Sequence, residues 1–398
     1  MKRRVIQWAT GAMGKSCLRA VLDHPDMELV GLFVYGDNKV GRDAGDIARR
    51  PLTGVLATQD VEEILALDAD VVIHCARLAP PYGSHDADLI RLLESGKNVI
   101  SINGYSRPHY WGGARLAALE AACAKGGSSL MAAGLNPGFA AEQIAVAATA
   151  VCSQLQAIEI LESVDCRQIR SPDYAFGILG FGSDPASINP NDPDWSVATS
   201  LNGMYSEVLA SMANSLGLTI DRIETDHVLR GATEDLHVGA GPIAKGTVSH
   251  IDLRWRAFVQ GQPVLNMGIA WYMEHGHLDR ADPPLWRIHV TGNPNVSLTI
   301  DLEKPEGDQT ATSAEQLGVA GAVINTIPLV CDAPSGVLTR PMSTPHQGVE
   351  LCVMVLTNRT TVQRGNHGLY SGRMAERLFG QLGAQGHGFC RCLCRGCR

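Results

Sequence analysis

Val5-Ile6-Gln7-Trp8-Ala9-Thr10-Gly11-Ala12-Met13-Gly14 is an apolar run that ends in a glycine turn. Val5 to Ala9 reads as a strand, and a helix follows from roughly Met13 to Asp23, with Leu18, Val21 and Leu22 on one face. The turn carries the second and third glycines of the G-x-G-x-x-G pattern and Ala9 in place of the first. Gly11 would let the backbone come close to a pyrophosphate, and Gly14 would let the helix pack tightly on the strand. The helix N-terminus would offer amide donors and a positive partial charge to the phosphates. Thr10 and Met13 complete the set of residues expected at a bound dinucleotide. Glycine turns are common, so the weight of this reading lies in its context: the turn heads a series of alternating strands and helices.

Working outward, Leu29 to Val34 reads as a second strand. Asp60-Val61-Glu62-Glu63 has the form of a helix N-cap with an acidic partner three residues on. Val71 to Cys75 is a buried strand, Ser84 to Ser95 a helix stopped by Gly96, Asn98 to Ile102 a strand, Gly113 to Lys125 a helix, and Ser129 to Ala132 a strand. Continuous apolar strands separated by helices predict an α/β fold with a Rossmann-type parallel sheet covered on both faces. Ligands of such sheets lie beyond the carboxyl ends of the strands. That rule selects Ala9–Gly14, Tyr35–Asp37, Ala76–Pro80, Asn103–Tyr105 and Gly134–Phe139, and with them Ala76 and Asn103 as further cofactor-binding candidates. Asp37 could hold a ribose, while Lys39 and Arg42 just after it could hold a 2′-phosphate, or all three belong to a solvated loop. The cofactor expected is therefore NADP or NAD.

At 398 residues the chain is long enough for two domains. A formal net charge of −8 gives no general attraction to nucleic acid or anionic lipid. No run of about 18 uninterrupted apolar residues suggests a membrane span, and Val5 to Trp8 is too short for a signal peptide core. A cytoplasmic location is the expectation. Of the 11 cysteines, those from Cys17 to Cys352 fit buried, reduced thiols, whereas Cys390, Cys392, Cys394 and Cys397 crowd the last residues. With His387 they could bind zinc, but they lack the two paired knuckles of a structural site, and a disordered or out-of-frame tail from about residue 348 is preferred.

The opening stretch, Gly41-Arg42-Asp43-Ala44-Gly45 and Gly134-Leu135-Asn136-Pro137-Gly138-Phe139 together resemble one family. It is the dihydrodipicolinate-reductase-like group that contains 2,4-diaminopentanoate dehydrogenase and the native NAD(P)H-dependent amine dehydrogenases. Ser171-Pro172 leading to Gly180-Phe181-Gly182, then Gly246-Thr247-Val248 and Ala333-Pro334-Ser335-Gly336, are similar to its later signatures. The resemblance implies a cofactor domain over residues 1–135, an α+β substrate and dimerisation domain over 136–310, and a helical segment over 311–347 that returns to the first domain. It also implies a homodimer with the active site between domains. The patterns agree: a helix near Ala140–Ala150, a strand over Ala157–Val164, a helix over Trp195–Leu216, strand alternation from Gly246 to Ile300, and a helix from Gln316 to Ile327. One departure stands out. Amine-forming members carry an acid just after the fifth strand, where this chain reads Ser101-Ile102-Asn103-Gly104-Tyr105. Gly104 in the acid's place favours reduction of a carbonyl or another double bond over reductive amination.

With hydride supplied by the nicotinamide, the protein must place a small substrate and manage one proton or developing charge. Asn136, at the domain junction, could orient substrate; its bland role is a turn former before proline. Tyr105 and Tyr174 could donate a proton to an alkoxide, or be packed aromatics. His74 reads as a satisfied core histidine, Asp165 and Arg167 as a surface ion pair, and His275 and His277 as a loop that could face the cleft. Phe176, Ile178, Leu179 and Phe181 suggest an apolar pocket wall or plain core. No metal site is expected outside the tail, since His275-Gly276-His277 lacks helical ligand spacing. The leading expectation is an NAD(P)H-dependent reductase. Its rivals are an amine dehydrogenase and a nucleotide-binding regulatory protein without turnover.

Overall fold

The computed structural model describes residues 2–340. The first lobe is built from Arg3–Trp8 (β1), Ala12–Asp23 (α1), Met27–Phe33 (β2), Ala44–Ala48 (α2), Ala57–Thr58 (β3), Val61–Ala66 (α3), Val71–His74 (β4), Asp86–Glu94 (α4), Asn98–Ser101 (β5), Gly113–Gly126 (α5) and Ser129–Ala132 (β6). A wide-turn helical segment, Leu135–Ala145, leads through a short turn, Val146–Ala148 (α6), into the second lobe. That lobe comprises Gln154–Asp165 (β7), Thr199–Ser215 (α7), Arg222–Thr225 (β8), Val228–Gly231 (β9), Leu236–Val238 (β10), Gly241–Ile243 (β11), Val248–Val259 (β12), Gln262–Tyr272 (β13), Trp286–Asn293 (β14) and Val296–Ile300 (β15). The chain then returns through Ala314–Cys331 (α8) and Gly336–Leu338 (β16).

The first sheet has the order β16-β6-β5-β4-β1-β2-β3, every neighbouring pair parallel. Successive strand residues enter opposite cores, as the two-residue strand period requires. Val5, Ile73, Ile100 and Met131 pack with α1 and α8, while Ile6, Val72, Val99 and Leu130 pack with Leu89 and Leu92 of α4 and Leu119 of α5. Strand order reverses between β1 and β4, the crevice where doubly wound sheets bind their ligands. Asp60 caps α3 as its sequence pattern predicted, its carboxylate accepting from Glu62 N at 2.9 Å. Cys17, Cys75, Cys123 and Cys166 are buried thiols.

The second sheet runs β15-β14-β7-β13-β12-β8, with β9 also on β12. It is antiparallel except for β7 against β13. Its inner face carries Ile251, Leu253, Trp255 and Ala257 of β12 against Tyr205, Leu209 and Met212 of α7. Trp255 stacks on Tyr205 with ring centroids 4.0 Å apart, and its indole donates to Asn202 Oδ1 at 2.8 Å. A stack of this kind contributes about 0.5–1.5 kcal/mol beyond the area it buries. Residues 166–198 form loops and short turns, among them the half-exposed helical turn Asp173–Ile178.

Several helices begin elsewhere than the sequence reading expects, among them the one expected from Trp195, which begins at Thr199. The helix expected from Ala140 begins at Leu135 with wide turns, and Asn136 inside it has extended backbone angles before a cis peptide bond to Pro137. The helix expected from Gln316 begins at Ala314, because Ser313 and Gln316 form a reciprocal capping box. α8 is 18 residues long and apolar enough by composition to cross a membrane. Here Val319, Val323, Ile327 and Val330 are buried in the first lobe's core.

Candidate functional site

The glycine turn follows β1 directly. Gly14 is needed for close approach: a Cβ there would lie 2.3 Å from Ala9 O and 3.4 Å from Cys75 Cβ. Gly11 has the opposite surroundings, with nothing within 4 Å of its Cβ position, so the space in front of the turn is open. Gly11 is also the N-cap of α1 and supplies no side-chain hydrogen bond, leaving the first-turn amides directed at that space. Ala9, which replaces the first glycine, holds φ at 72°, the left-handed region that costs a non-glycine residue about 1–2 kcal/mol. Met13 packs against the core below.

Charge gathers over this turn. Lys39 Nζ donates to Thr10 Oγ1 at 2.9 Å and to Thr10 O at 3.1 Å. Its pKa is lowered by burial, with Lys15 and Arg42 adding like-charge repulsion, so three cations share the region. Asp37 is exposed and accepts from Gln59 Nε2 at 3.0 Å. On the neighbouring strand end, Asn103 Nδ2 donates to Ala76 O at 2.6 Å, tying the loops after β4 and β5 together. An open helix N-terminus, glycines where backbone must approach, and cations at the second strand's end fit a pyrophosphate-containing nucleotide. Thr10, Gly11, Met13 and Gly14 would hold it at the turn, and Ala76 and Asn103 would flank its far end. The nicotinamide supplies the hydride when bound.

Beyond the carboxyl ends of β5 and β6 lies a cavity with about 40 Å³ open to water-sized molecules. Gly104, Ser106, Gly134, Asn136, Glu142 and Arg340 contribute to its lining. Asn136 is fixed from the second lobe: its amide nitrogen donates to Tyr205 Oη at 2.8 Å and to Glu162 Oε2 at 2.5 Å. Burial pushes the Glu162 carboxyl up to about 8, opposed by the hydrogen bond from Asn136. Glu142 accepts from Ser106 Oγ at 2.9 Å. Burial raises its pKa to about 7, with Ser211 and Ser106 acting against the shift and the Glu207 charge adding to it.

The other candidates do not gather here. Tyr105 does not line the cavity. It is 2% exposed, and its hydroxyl donates to Asp86 Oδ1 at 2.7 Å beside Arg115. Burial, then Asp86, pushes its pKa well up, so the phenol is a buried structural donor rather than an accessible acid. Tyr174 is 46% exposed on the second lobe, with Arg77 of the first among the charges acting on it. Leu179 and Phe181 are core, Phe176 packs against that core, and Ile178 is half-exposed, so these four do not form one pocket wall. His277 meets Gly231 O at 2.8 Å, and His275 lies against Tyr272. Asp165 and Arg167 form the expected ion pair. His74 is buried, but neither ring nitrogen has a hydrogen-bond partner among the described residues, and burial pushes its pKa down to about 3. It is a neutral core histidine without the satisfaction the sequence reading assumed. Among the described residues no His, Cys, Asp and Glu cluster could hold a metal. The cysteine-rich tail with His387 lies outside them.

Sequence reasoning missed Tyr82, Glu142 and Glu207. Tyr82 Oη donates to Glu207 Oε2 at 2.6 Å, and Arg107 N and Trp111 Nε1 also donate to this fully buried carboxylate. The available signal was compositional. Each glutamate is a lone acid in an apolar helical run, a placement that burial makes costly unless the carboxyl is partnered or used.

Comparison with known proteins agrees with this arrangement. Residues 4–79 match the sequence model of the family described as dihydrodipicolinate reductase, N-terminus. An amine dehydrogenase of Streptomyces virginiae is 26% identical over 357 residues, covering 83% of this chain and 93% of that protein. A 4-hydroxy-tetrahydrodipicolinate reductase of Burkholderia mallei (strain SAVP1) is 33% identical over 181 residues, or 44% of this chain and 62% of the reductase. The structure of an amine dehydrogenase from Mycobacterium smegmatis superposes with a TM-score of 0.68 at 20% identity, covering 87% of this chain and 99% of that one, which establishes a shared fold. With its glycine turn, its parallel sheet and its second mixed-sheet lobe, the chain is an NAD(P)-dependent oxidoreductase, similar over residues 4–79 to the dihydrodipicolinate reductase family and over most of its length to an amine dehydrogenase.

Proposed function

We propose that the chain uses NADPH to reduce the carbonyl or imine carbon of a small substrate held where the loops after β4, β5 and β6 meet the second lobe. The observation that carries this reading is the placement of the cavity: it lies beyond the ends of β5 and β6 in the same sheet whose β1 end carries the open glycine turn, and Asn136 lines it. Asn136 serves as a fixed polar contact for the reacting group, held by Glu162 and Tyr205 so that it need not reorganise during the reaction. Preference for NADPH over NADH is supported by Lys39 over Thr10 with Lys15 and Arg42 close by, a cation set suited to a 2′-phosphate. Asp37, the alternative ribose ligand, is engaged with Gln59. The net charge of −8 supports a small-molecule partner rather than nucleic acid. A homodimer is the assembly carried over from the family resemblance, with the cytoplasm as the expected location from the sequence, and light scattering tests the dimer.

The test is a fluorescence titration of the purified chain with NADPH and NADH, followed by NADPH oxidation against a panel of ketones and aldehydes with and without ammonium. Saturable NADPH binding with turnover supports the proposal. Tight binding without turnover on any substrate supports a regulatory nucleotide-binding protein, and absence of binding overturns the glycine-turn reading itself.

A further inference from the structure

Gly104 holds φ at 101°, and the space its side chain would take is filled: a Cβ there would lie 1.9 Å from Tyr82 Oη. An acid at this position therefore has no room while Tyr82 stays where it is. The carboxylate behind Tyr82, Glu207, is enclosed by three hydrogen-bond donors and is not among the cavity-lining residues. Glu142 is placed differently: on the Leu135–Ala145 segment, it lines the same cavity as Gly104, a space that holds only a few water-sized molecules. Ammonia is of that size.

We propose that Glu142 is the proton-exchanging carboxyl of this site, that the nitrogen it serves is ammonia, and that the chain therefore carries out reductive amination. This rests on the NADPH-dependent reading above. Overall, a ketone or aldehyde, ammonium and NADPH give an amine, NADP+ and water. Ionised Glu142 takes a proton from ammonium, and the ammonia released adds to the carbonyl carbon, forming the C–N bond of a carbinolamine. Protonated Glu142 then returns the proton to the carbinolamine hydroxyl. The C–O bond breaks, water leaves, and the iminium carbon is the hydride acceptor. The carboxylate left behind faces the iminium cation and favours it electrostatically.

Such a cycle needs a carboxyl that gains and loses a proton near neutrality. The groups set around Glu142 supply this. Burial pushes its pKa to about 7; Glu207 on α7 adds to the rise, while Ser211 on α7, Ser106 after β5 and Arg340 after β16 oppose it. Arg340 itself donates to Thr326 Oγ1 at 2.7 Å, so its position is set by α8.

The experiment compares the full-length chain with Glu142→Gln, Glu142→Asp and Ser106→Ala. NADPH affinity is read by fluorescence, steady-state rates are read against ketone and against ammonium, and pH profiles are taken from pH 5 to 10. In the wild type, NADPH oxidation requires ammonium and yields amine, with a limb in kcat/KM near pH 7. In Glu142→Gln, kcat/KM for ammonium falls about 100-fold, the size expected for loss of a general acid–base. The limb disappears, and NADPH affinity stays within about twofold. Glu142→Asp restores part of the rate. Ser106→Ala, which removes a hydrogen bond that favours the carboxylate, moves the limb to higher pH. A Glu142→Gln enzyme that keeps both the ammonium dependence and the limb overturns the proposal, as does a wild type that forms alcohol without ammonium. If Glu142→Gln does not fold, an unmoved limb in Ser106→Ala overturns it. NADPH binding by the wild type separates the two failures: turnover without a role for Glu142 leaves the reductase reading standing, and absence of NADPH binding removes both.

Discussion

At the end of β1 the contacts that prepare the site come from neighbouring stretches of chain. Lys39 reaches Thr10 across 29 residues, and Gly14 packs on Ala9 within a single turn. The cavity beyond β5 and β6 is assembled from further afield: Ser106 meets Glu142 across 36 residues, Asn136 meets Tyr205 across 69, and Tyr82 meets Glu207 across 125. The cofactor end is thus a local motif whose residue types are dictated by backbone geometry. The cavity end is a product of how two lobes pack, and its residue types are set by what each wall leaves room for. The first is fixed by the motif; at the second, Tyr82 fills the room beside Gly104 while the Leu135–Ala145 segment brings a carboxyl, Glu142, to the cavity lining.

The largest effect that could break this contrast is expected at Gly14. Gly14→Ala places a Cβ against the Ala9 carbonyl, where only backbone can give way. NADPH affinity should fall by about 100-fold or more, equivalent to roughly 2.7 kcal/mol. Circular dichroism checks that the fold is retained, and a dissociation constant within threefold of wild type would show that the turn is not the rigid element described. Next in size is Lys39→Ala, which removes one charge-assisted contact. It should weaken NADPH about tenfold while changing NADH by less than twofold, both read by fluorescence titration.

How much of this was legible beforehand follows the same division. The turn, its two glycines, the parallel sheet and the Asp60 cap were readable because each is encoded within a few residues. Asp37 and Lys39 were both visible, but the partners each one meets, Gln59 and Thr10, are supplied only by tertiary structure. Position in the chain and a phenol that can donate a proton single out Tyr105 and Tyr174. One is turned onto Asp86 and Arg115, and the other lies half-exposed on the second lobe, outcomes no local pattern records. Ser313 was overlooked as a cap, although the Ser-x-x-Gln signature is present in the chain.

A smaller effect sharpens the account of the cavity end. Glu162 has its pKa raised to about 8, so the folded chain holds a proton that the unfolded chain releases above the ordinary carboxylate range. The stability this contributes is fully present below about pH 4.3 and is lost as pH rises through about 8. Glu162→Gln keeps an acceptor for Asn136 and removes the titration. Its melting temperature should therefore fall less than that of wild type between pH 5 and 9, by roughly 2–4 °C for each kcal/mol of linkage removed. Equal slopes in differential scanning calorimetry would place the proton elsewhere. The smallest effect belongs to Ala9→Gly, where relief of left-handed strain exceeds the added flexibility of the unfolded chain by about 0.5 kcal/mol. A rise of about 1–2 °C is expected. A fall would mean that Ala9 contributes packing that outweighs its strain.

The edge of the first sheet carries a consequence for biosynthesis. Ser129, at the start of β6, donates to Pro334 O, a partner 205 residues later in the chain, and β16 then pairs alongside. At translation speeds of about 5–20 residues per second, β6 emerges roughly 10–40 s before the strand that covers it. Throughout that interval the nascent cofactor lobe presents an unpaired strand edge, with the core surface that α8 will cover still open to solvent. The second lobe is completed first, and the ribosome finishes the first lobe last.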